Sequence, residues 1–219
     1  MTIKGEQLYE LGWLPIMDLS SLQPSFNKLP EDKYAEKRLR SRRYSCYRYN
    51  PDGTVTKLSQ KDFMQSSNIN KHVGDIERKY DALDPALETN PVFLKMFEEF
   101  QERTNLSPGS AIEVHQIRWH CAKRVKIPAP EGVHQDGFDY IGMFMVNSHN
   151  IDGGELMIYP SPDEAPLLVK QLEPGEFMIL NDKRLFHYAA PLVPRPNKDE
   201  GYWDLIILTA NEALNAATN

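Results

Sequence analysis

The sequence predicts a mainly β protein with flanking helices, an antiparallel sandwich or barrel. Three observations carry that expectation. From Ala111 onward, short β-rich segments follow one another with no long helix between them: "AIEVHQIRW", "DYIGMFMV", "GELMIY", "PLLVKQL", "EFMIL", "RLFHYAAPLV" and "YWDLIIL". They are separated by "PAPEG", "NIDGG", "PSPDEA", "EPG" and "PRPNKDEG", all rich in turn-forming residues. The clearest amphipathic helix lies upstream of them, in "TNPVFLKMFEEFQERTN". With no internal repeat and no low-complexity tract, the expected organisation is one domain over residues 1–219. Residues 1–105 form a helical and β-rich cover, and 111–210 form the β core.

Taken in order, Ile3 to Leu11 reads as a short helix, and "GWLPIMDL" as a strand. "PEDKYAEKRLRSRR" is helix-prone at its start and basic at its end. "RYSCYRYNPDGTVTKL" holds two strand-like segments around Asn50-Pro51-Asp52-Gly53, a good turn sequence. Ser59 to Leu87 is polar and weakly periodic, a loop with short helical pieces. In the helix that follows, Asn90 caps, Pro91 suits the first position, and Phe93, Met96, Phe97 and Phe100 recur on one face to pack against a sheet.

Composition narrows the function class. Of 219 residues, 41% are hydrophobic and 26% charged, and the net charge of −6 argues against a general nucleic-acid binder, which needs a basic face. Cys46 and Cys121 are too few for a disulfide framework or a structural zinc cluster. The apolar runs have strand length rather than membrane-span length, and the first ten residues mix in charges where a signal peptide would carry an apolar core. The expectation is a cytoplasmic protein with a small-molecule partner, no nucleic acid and no membrane.

The chemistry-bearing stretch is "EGVHQDGFDY". On a strand, residues two apart point to the same side, so His134 and Asp136 can face one interior. Two imidazoles and one carboxylate on one face of a metal leave the opposite face open, the arrangement of mononuclear non-haem Fe(II) oxygenases. The second imidazole must come from a distant strand. His187, in "LNDKRLFHYAAPLV", lies 51 residues after Asp136 (187 minus 136), room for four or five strands. His115 and His120 stand at odd offset, point to opposite faces and read as structural or solvent-facing. His149 falls in a loop, and His72 has no evident partner.

The run "VHQIRWHCAKRVKIPAPEGVHQDGFDYIGMFMVNSHNIDGGELMIY" resembles the core of the small bacterial Fe(II)- and 2-oxoglutarate-dependent dioxygenases typified by L-isoleucine 4-hydroxylase. The shared elements are the His-Gln-x-Arg strand (His115 to Arg118), the His-x-Asp, Asn147 at a strand end, and Gly153-Gly154. "LNDKRLFHYAAPLVP" is similar to that family's distal-histidine strand, "GYWDLIILTA" to its last core strand, and "RLRSRRYSCYRY" to its Arg- and Tyr-rich strand. The resemblance covers about three quarters of the chain in scattered blocks and implies a double-stranded β-helix, the jelly roll of cupins. It also implies Fe(II) held by His134, Asp136 and His187, with 2-oxoglutarate and O2 as co-substrates. The reaction implied is hydroxylation of an unactivated C–H bond in a free amino acid or similar small metabolite.

One departure stands out. Relatives commonly read Gly-Tyr/Phe-Arg-Asp where this chain reads "GYWD", so Trp203 takes a place often held by arginine, the natural bidentate partner of a carboxylate. Arg118 is then the first expectation for holding 2-oxoglutarate, with Arg195 and Arg184 behind it, and Gln116 and Asn147 as orienting amides. Tyr140 reads as core rather than pocket, and the basic run Lys37 to Arg43 as a solvated face that could instead meet a substrate carboxylate. The intact Asp136 disfavours a halogenase. Two other readings stand beside the hydroxylase: a non-catalytic cupin-like binding protein, for which Trp203 speaks, and a hydroxylase of a peptide or carrier-bound substrate.

Overall fold

The structure, a computed structural model, describes residues 8–15, 18–36, 39–59, 62–64, 74–121, 125–198 and 200–212. His72, Lys37, Arg38 and most of the helix expected over Ile3 to Leu11 lie outside those residues. The strands are β1 (Tyr9–Trp13), β2 (Arg40–Tyr49), β3 (Val55–Lys57), β4 (Ala111–Cys121), β5 (Tyr140–His149), β6 (Ile151–Gly153), β7 (Leu156–Tyr159), β8 (Leu168–Lys170), β9 (Glu176–Asn181), β10 (Phe186–Ala189), β11 (Leu192–Pro194) and β12 (Gly201–Ala210). The helices are α1 (Gln23–Phe26) and α2 (Pro91–Arg103), with 3-10 turns at Leu19–Leu22 and Pro85–Thr89.

A seven-stranded antiparallel sheet runs in the order β1-β9-β5-β12-β4-β2-β3. Facing strands form smaller sheets, β10-β7-β8 and β11-β6. This is the mainly β, jelly-roll architecture expected. The N-terminal third does more than cover it: β1, β2 and β3 extend the large sheet at both ends. Tyr9 to Leu11, read from sequence as the end of a helix, pair instead with Leu180 to Met178 of β9. An edge left open on β9 outweighs weak local helix propensity.

The large sheet carries a core on each face. Along β5, Tyr140, Phe144 and Val146 belong to one core, and Ile141, Met143 and Met145 to the other. Both faces are covered, so the strand reads as a continuous apolar run. The first core is closed by α2, whose Phe93, Met96, Phe97 and Phe100 are fully buried. Asn90 caps that helix by accepting from the backbone N–H groups of Val92 and Phe93 at 2.9 and 3.2 Å. Each fully buried side chain of this face contributes about 1.5–3 kcal/mol of apolar transfer. Tyr140 falls on this side, its hydroxyl donating to Glu212. The second core lies inside the roll and opens into the cavity described next.

Candidate active site

His134 is not on a regular strand. It forms a single antiparallel bridge to His187, with N–H to O distances of 3.0 and 2.8 Å, and Asp136 lies in the loop before β5. A buried carboxylate, Asp182, shapes that loop. Its Oδ2 accepts from the backbone N–H groups of Asp136, Gly137 and Phe138 at 2.9, 2.8 and 3.2 Å, and Gly137 takes a φ of 89°. Gln135 donates to the carbonyl oxygens of Asp182 and Leu185. The loop rather than a strand's alternation therefore turns Asp136 back toward His134.

The three expected side chains converge. His134 Nε2 stands 3.5 Å from Asp136 Oδ1, and His187 Nε2 3.9 Å from Asp136 Oδ2. One ligand atom from each lies within 4.8 Å of the others. His134 Nδ1 is 2.8 Å from the Gly132 carbonyl and donates to it, leaving Nε2 for the shared centre. His187 Nδ1 stands 3.5 Å from Asp182 Oδ1, so the carboxylate that folds the loop also faces the distal imidazole. Without a metal, burial lowers the His134 pKa, but the neighbouring Asp136 and Glu131 outweigh it and raise it to about 9. Burial likewise pushes Asp136 up, and the contact with His134 and the charge of His187 overcome it, holding the carboxyl well below its ordinary range. Two imidazoles and an ionised carboxylate form a donor set that fits a divalent iron.

These groups line a cavity of about 500 Å³. Five of its further walls are Ile117, Trp119, Leu156, Trp203 and Leu205. Trp203, only 4% exposed, is directly opposite Trp119 across the β12–β4 ladder. Four basic side chains also line it: Arg40, Arg42, Arg78 and Lys126. Arg40 pairs with Asp32 at 2.7 Å and Lys126 with Glu36 at 3.4 Å. Arg42 instead donates from Nη2 to His115 Nδ1 and stacks on the rings of Phe63 and Tyr80, 5.1 and 4.6 Å from their centroids. His115 is stacked on Tyr44, and burial, with Arg42 beside it, holds its pKa well below the usual value. It is neutral and accepts from Arg42.

The residues expected to hold the co-substrate stand elsewhere, and strand alternation is the reason. On β4, His115, Ile117 and Trp119 face the cavity, so Gln116 and Arg118 face the helices. Arg118 makes a bidentate pair with the fully buried Asp204, at 2.6 and 2.7 Å, and lies over Tyr202. Gln116 donates to Ser25 Oγ at 2.6 Å. A β-bulge at Asp204/Leu205 shifts the phase of β5, and Asn147 donates to the Tyr202 hydroxyl at 3.2 Å. Arg195 pairs with Asp152 on the exposed surface, and Arg184 is exposed in a turn. His120, on the helix side, meets Ser41 at 2.9 Å.

Sequence reasoning passed over Asp182, Phe63, Arg78 and Tyr80, and set Arg42 within a charge run. Only the alternation Arg40, Arg42, Tyr44 along β2 would have flagged two arginines as inward-facing. Phe63 and Arg78 come from a loop with no periodic signal, joined by a backbone bridge with N–H to O distances of 3.0 and 2.9 Å.

Among the described residues no helix is long and apolar enough to cross a membrane. No curated protein matches the chain. Solved structures do. A bsmA homolog from Methylobium petroleophilum PM1 superposes with a TM-score of 0.73 at 21% identity, over 89% of this chain and 81% of that one. IDO from Bacillus thuringiensis gives 0.68 at 22%, over 87% and 81%. The Fe(II)/α-ketoglutarate-dependent dioxygenase TqaL gives 0.64 at 18%, over 89% and 74%. At these identities the likeness is one of fold, and it agrees with the jelly roll. The family model of the 2OG-Fe dioxygenases matches residues 23–209, nearly the whole chain and every cavity-lining residue named above, so this protein belongs to the 2OG-Fe dioxygenase family, enzymes that use Fe(II), 2-oxoglutarate and O2.

Proposed function

We propose that this dioxygenase hydroxylates an unactivated C–H bond of a free amino acid or a similar small metabolite, with His134, Asp136 and His187 as its iron ligands. The convergence of those three side chains on one wall of the cavity carries the reading. A volume of about 500 Å³ suits two small organic acids rather than a folded partner. The resemblance to the L-isoleucine 4-hydroxylase type supports an amino acid as the substrate.

When bound, iron and 2-oxoglutarate supply oxygen activation: 2-oxoglutarate, O2 and a C–H bond give succinate, carbon dioxide and a C–OH bond. The chain's own residues hold, orient and exclude. The Gly132 carbonyl holds the His134 imidazole, Asp182 faces that of His187, and both Nε2 atoms face Asp136. Asp136 keeps its negative charge throughout the neutral range, supplying the anionic donor of the set. Trp119, Trp203, Leu156 and Leu205 make the adjoining wall apolar, which keeps water from the reacting carbon.

The test is an anaerobic titration of the Fe(II)-loaded protein with 2-oxoglutarate, watching for the visible charge-transfer band of the chelate. A panel of free amino acids is then screened for succinate release and a hydroxylated product. A band with no stimulation by any amino acid would sink the substrate class. Iron affinity unchanged in His187→Ala would sink the ligand assignment.

A further inference from the structure

Arg42 is a buried cation with an unusual set of neighbours. It is 6% exposed and lines the cavity. Among the described residues its one side-chain hydrogen bond goes to a neutral imidazole, and its other close neighbours are the faces of Phe63 and Tyr80. Among the described residues no carboxylate lies within ion-pair distance of it, in contrast to Arg40 and Lys126 in the same wall. Its Nε is buried without a hydrogen-bond partner. A second guanidinium, that of the 2% exposed Arg78, lies over the same Phe63 ring at 4.5 Å. Two buried like charges over one phenyl ring repel each other, and burying the Arg42 charge with no carboxylate at ion-pair distance is costly unless an anion joins it.

The surroundings also fix the guanidinium in place. His115, clamped between Tyr44 (4.9 Å, stacked) and Phe63 (4.8 Å, edge-on), takes one terminal N–H. The planar group is thereby held with further N–H donors to spare, the fork that matches a carboxylate. Across the sheet, Arg42 is in register with Ile117 and through it with Leu205 of β12, and Arg40 with Trp119 and Trp203. The cation thus reaches the cavity from β2, two strands or roughly 10 Å from the apolar wall at Trp203. Arg42, His115 and the three triad residues all line the same cavity.

We propose that Arg42, positioned by His115, is the carboxylate anchor of this cavity. The ligand chemistry is an organic acid whose carboxylate pairs with the Arg42 guanidinium. Two sources share that chemistry: the far carboxylate of 2-oxoglutarate, and the carboxylate of the substrate undergoing hydroxylation. The proposal rests on the dioxygenase reading for which acids arrive, and on the geometry alone for the anchor.

The experiment compares the wild type with Arg42→Met and Arg42→Lys, both Fe(II)-loaded and anaerobic, using the fluorescence of Trp119 and Trp203 to follow binding. The probes are 2-oxoglutarate against 2-oxobutanoate, which keeps the keto-acid end and lacks the far carboxylate, and free L-amino acids against their amides. Loss of a charge-assisted carboxylate contact weakens binding by on the order of 30-fold. If Arg42→Met weakens 2-oxoglutarate by that factor and leaves 2-oxobutanoate unchanged, the anchor holds the co-substrate. If it instead abolishes the preference for amino acids over amides, the anchor holds the substrate. In either case Arg42→Lys, charged but without the fork, falls between. An arginine that serves only to pack would leave both preferences intact in Arg42→Met, and that result overturns the proposal. Should Arg42→Met not fold, a wild type that prefers neither 2-oxoglutarate over 2-oxobutanoate nor acids over amides overturns it equally. Iron affinity is read separately with a competing chelator. Iron that fails to bind the wild type, with binding of glutarate, the dicarboxylate without the keto group, still lost in Arg42→Met, would sink the dioxygenase reading and leave the anchor standing.

Discussion

The two faces of the seven-stranded sheet are built from the same strands by opposite rules. On the helix side, Phe93, Phe97 and Phe100 of α2 meet Tyr47, Phe144 and Phe177, all fully buried. Charge appears there in completed pairs, Arg118 with Asp204 and Arg103 with Glu99 and Glu10. On the cavity side the far end is equally apolar, with Met143, Met145, Met178 and Leu180. Toward the triad, however, Arg42, His115, Asp136 and His187 occupy positions that a packed core would give to leucine or valine. Arg42 Nε is buried here without a hydrogen-bond partner. The difference teaches where stability and chemistry are separated: one face is packed to density, and the other leaves donors unsatisfied for ligands to complete.

That contrast can be broken from either side. The largest effect expected is on metal binding. His187→Ala removes one of the three proposed ligands and should lower Fe(II) affinity beyond the ~10–100-fold cost of losing a supporting contact, with little change in thermal stability of the metal-free protein. A competition titration with a chelator measures it. On the opposite face, Phe97→Ala should cost about 3–5 kcal/mol in urea unfolding while leaving metal affinity untouched. If Phe97→Ala weakened iron binding at a concentration where the variant is folded, the two faces would not be independent.

Arg118→Met comes next. Leaving Asp204 buried without its partner should destabilise by about 3 kcal/mol, with 2-oxoglutarate affinity unchanged. A large loss of 2-oxoglutarate binding in a folded Arg118→Met would restore the assignment that the motif first suggested. Asp182→Asn keeps the size but weakens an acceptor shared by three N–H groups, and should cost about tenfold in Fe(II) affinity.

The smallest effect on stability is a pH slope. In the metal-free protein the His134 pKa is raised to about 9, so the attraction between His134 and Asp136 stabilises the fold fully below the unfolded value near 6.5 and is lost as pH rises through about 9. The depressed Asp136 contributes above its unfolded value near 4, and that part is lost as pH falls through the lower folded one. Metal must displace the His134 proton, so apparent Fe(II) affinity should rise about tenfold per pH unit between pH 7 and 8.5. A flat profile would mean that His134 does not give up a proton to the metal.

Much of the site was legible because its chemistry is local. His134 and Asp136 declare themselves by type and spacing, and five strands, β5 to β9, separate Asp136 from the strand bearing His187, at the upper end of the four or five the interval suggested. The helix α2, its Asn90 cap and the β2–β3 turn were equally plain, since caps, turns and helical periodicity act over a few residues. The reason given for the motif was different from the one found: a loop gathered by Asp182, 46 residues away from Asp136, turns the carboxylate, and no local pattern announces that.

The sequence by itself determined the β-rich architecture, the apolar alternation of its core strands, and the identity of the three convergent side chains, because each depends on residue type and short-range period. Only the tertiary structure decided which face each polar residue of β2 and β4 occupies. A one-residue change of phase moves a side chain from one face of a sheet to the other. Arg118, in the more recognisable motif, was thereby sent to the helix side and closed into a pair with Asp204. Arg42, hidden in a basic run, was sent inward. There the packing of Phe63, Tyr80 and His115 around it left a charge with no carboxylate at ion-pair distance among the described residues.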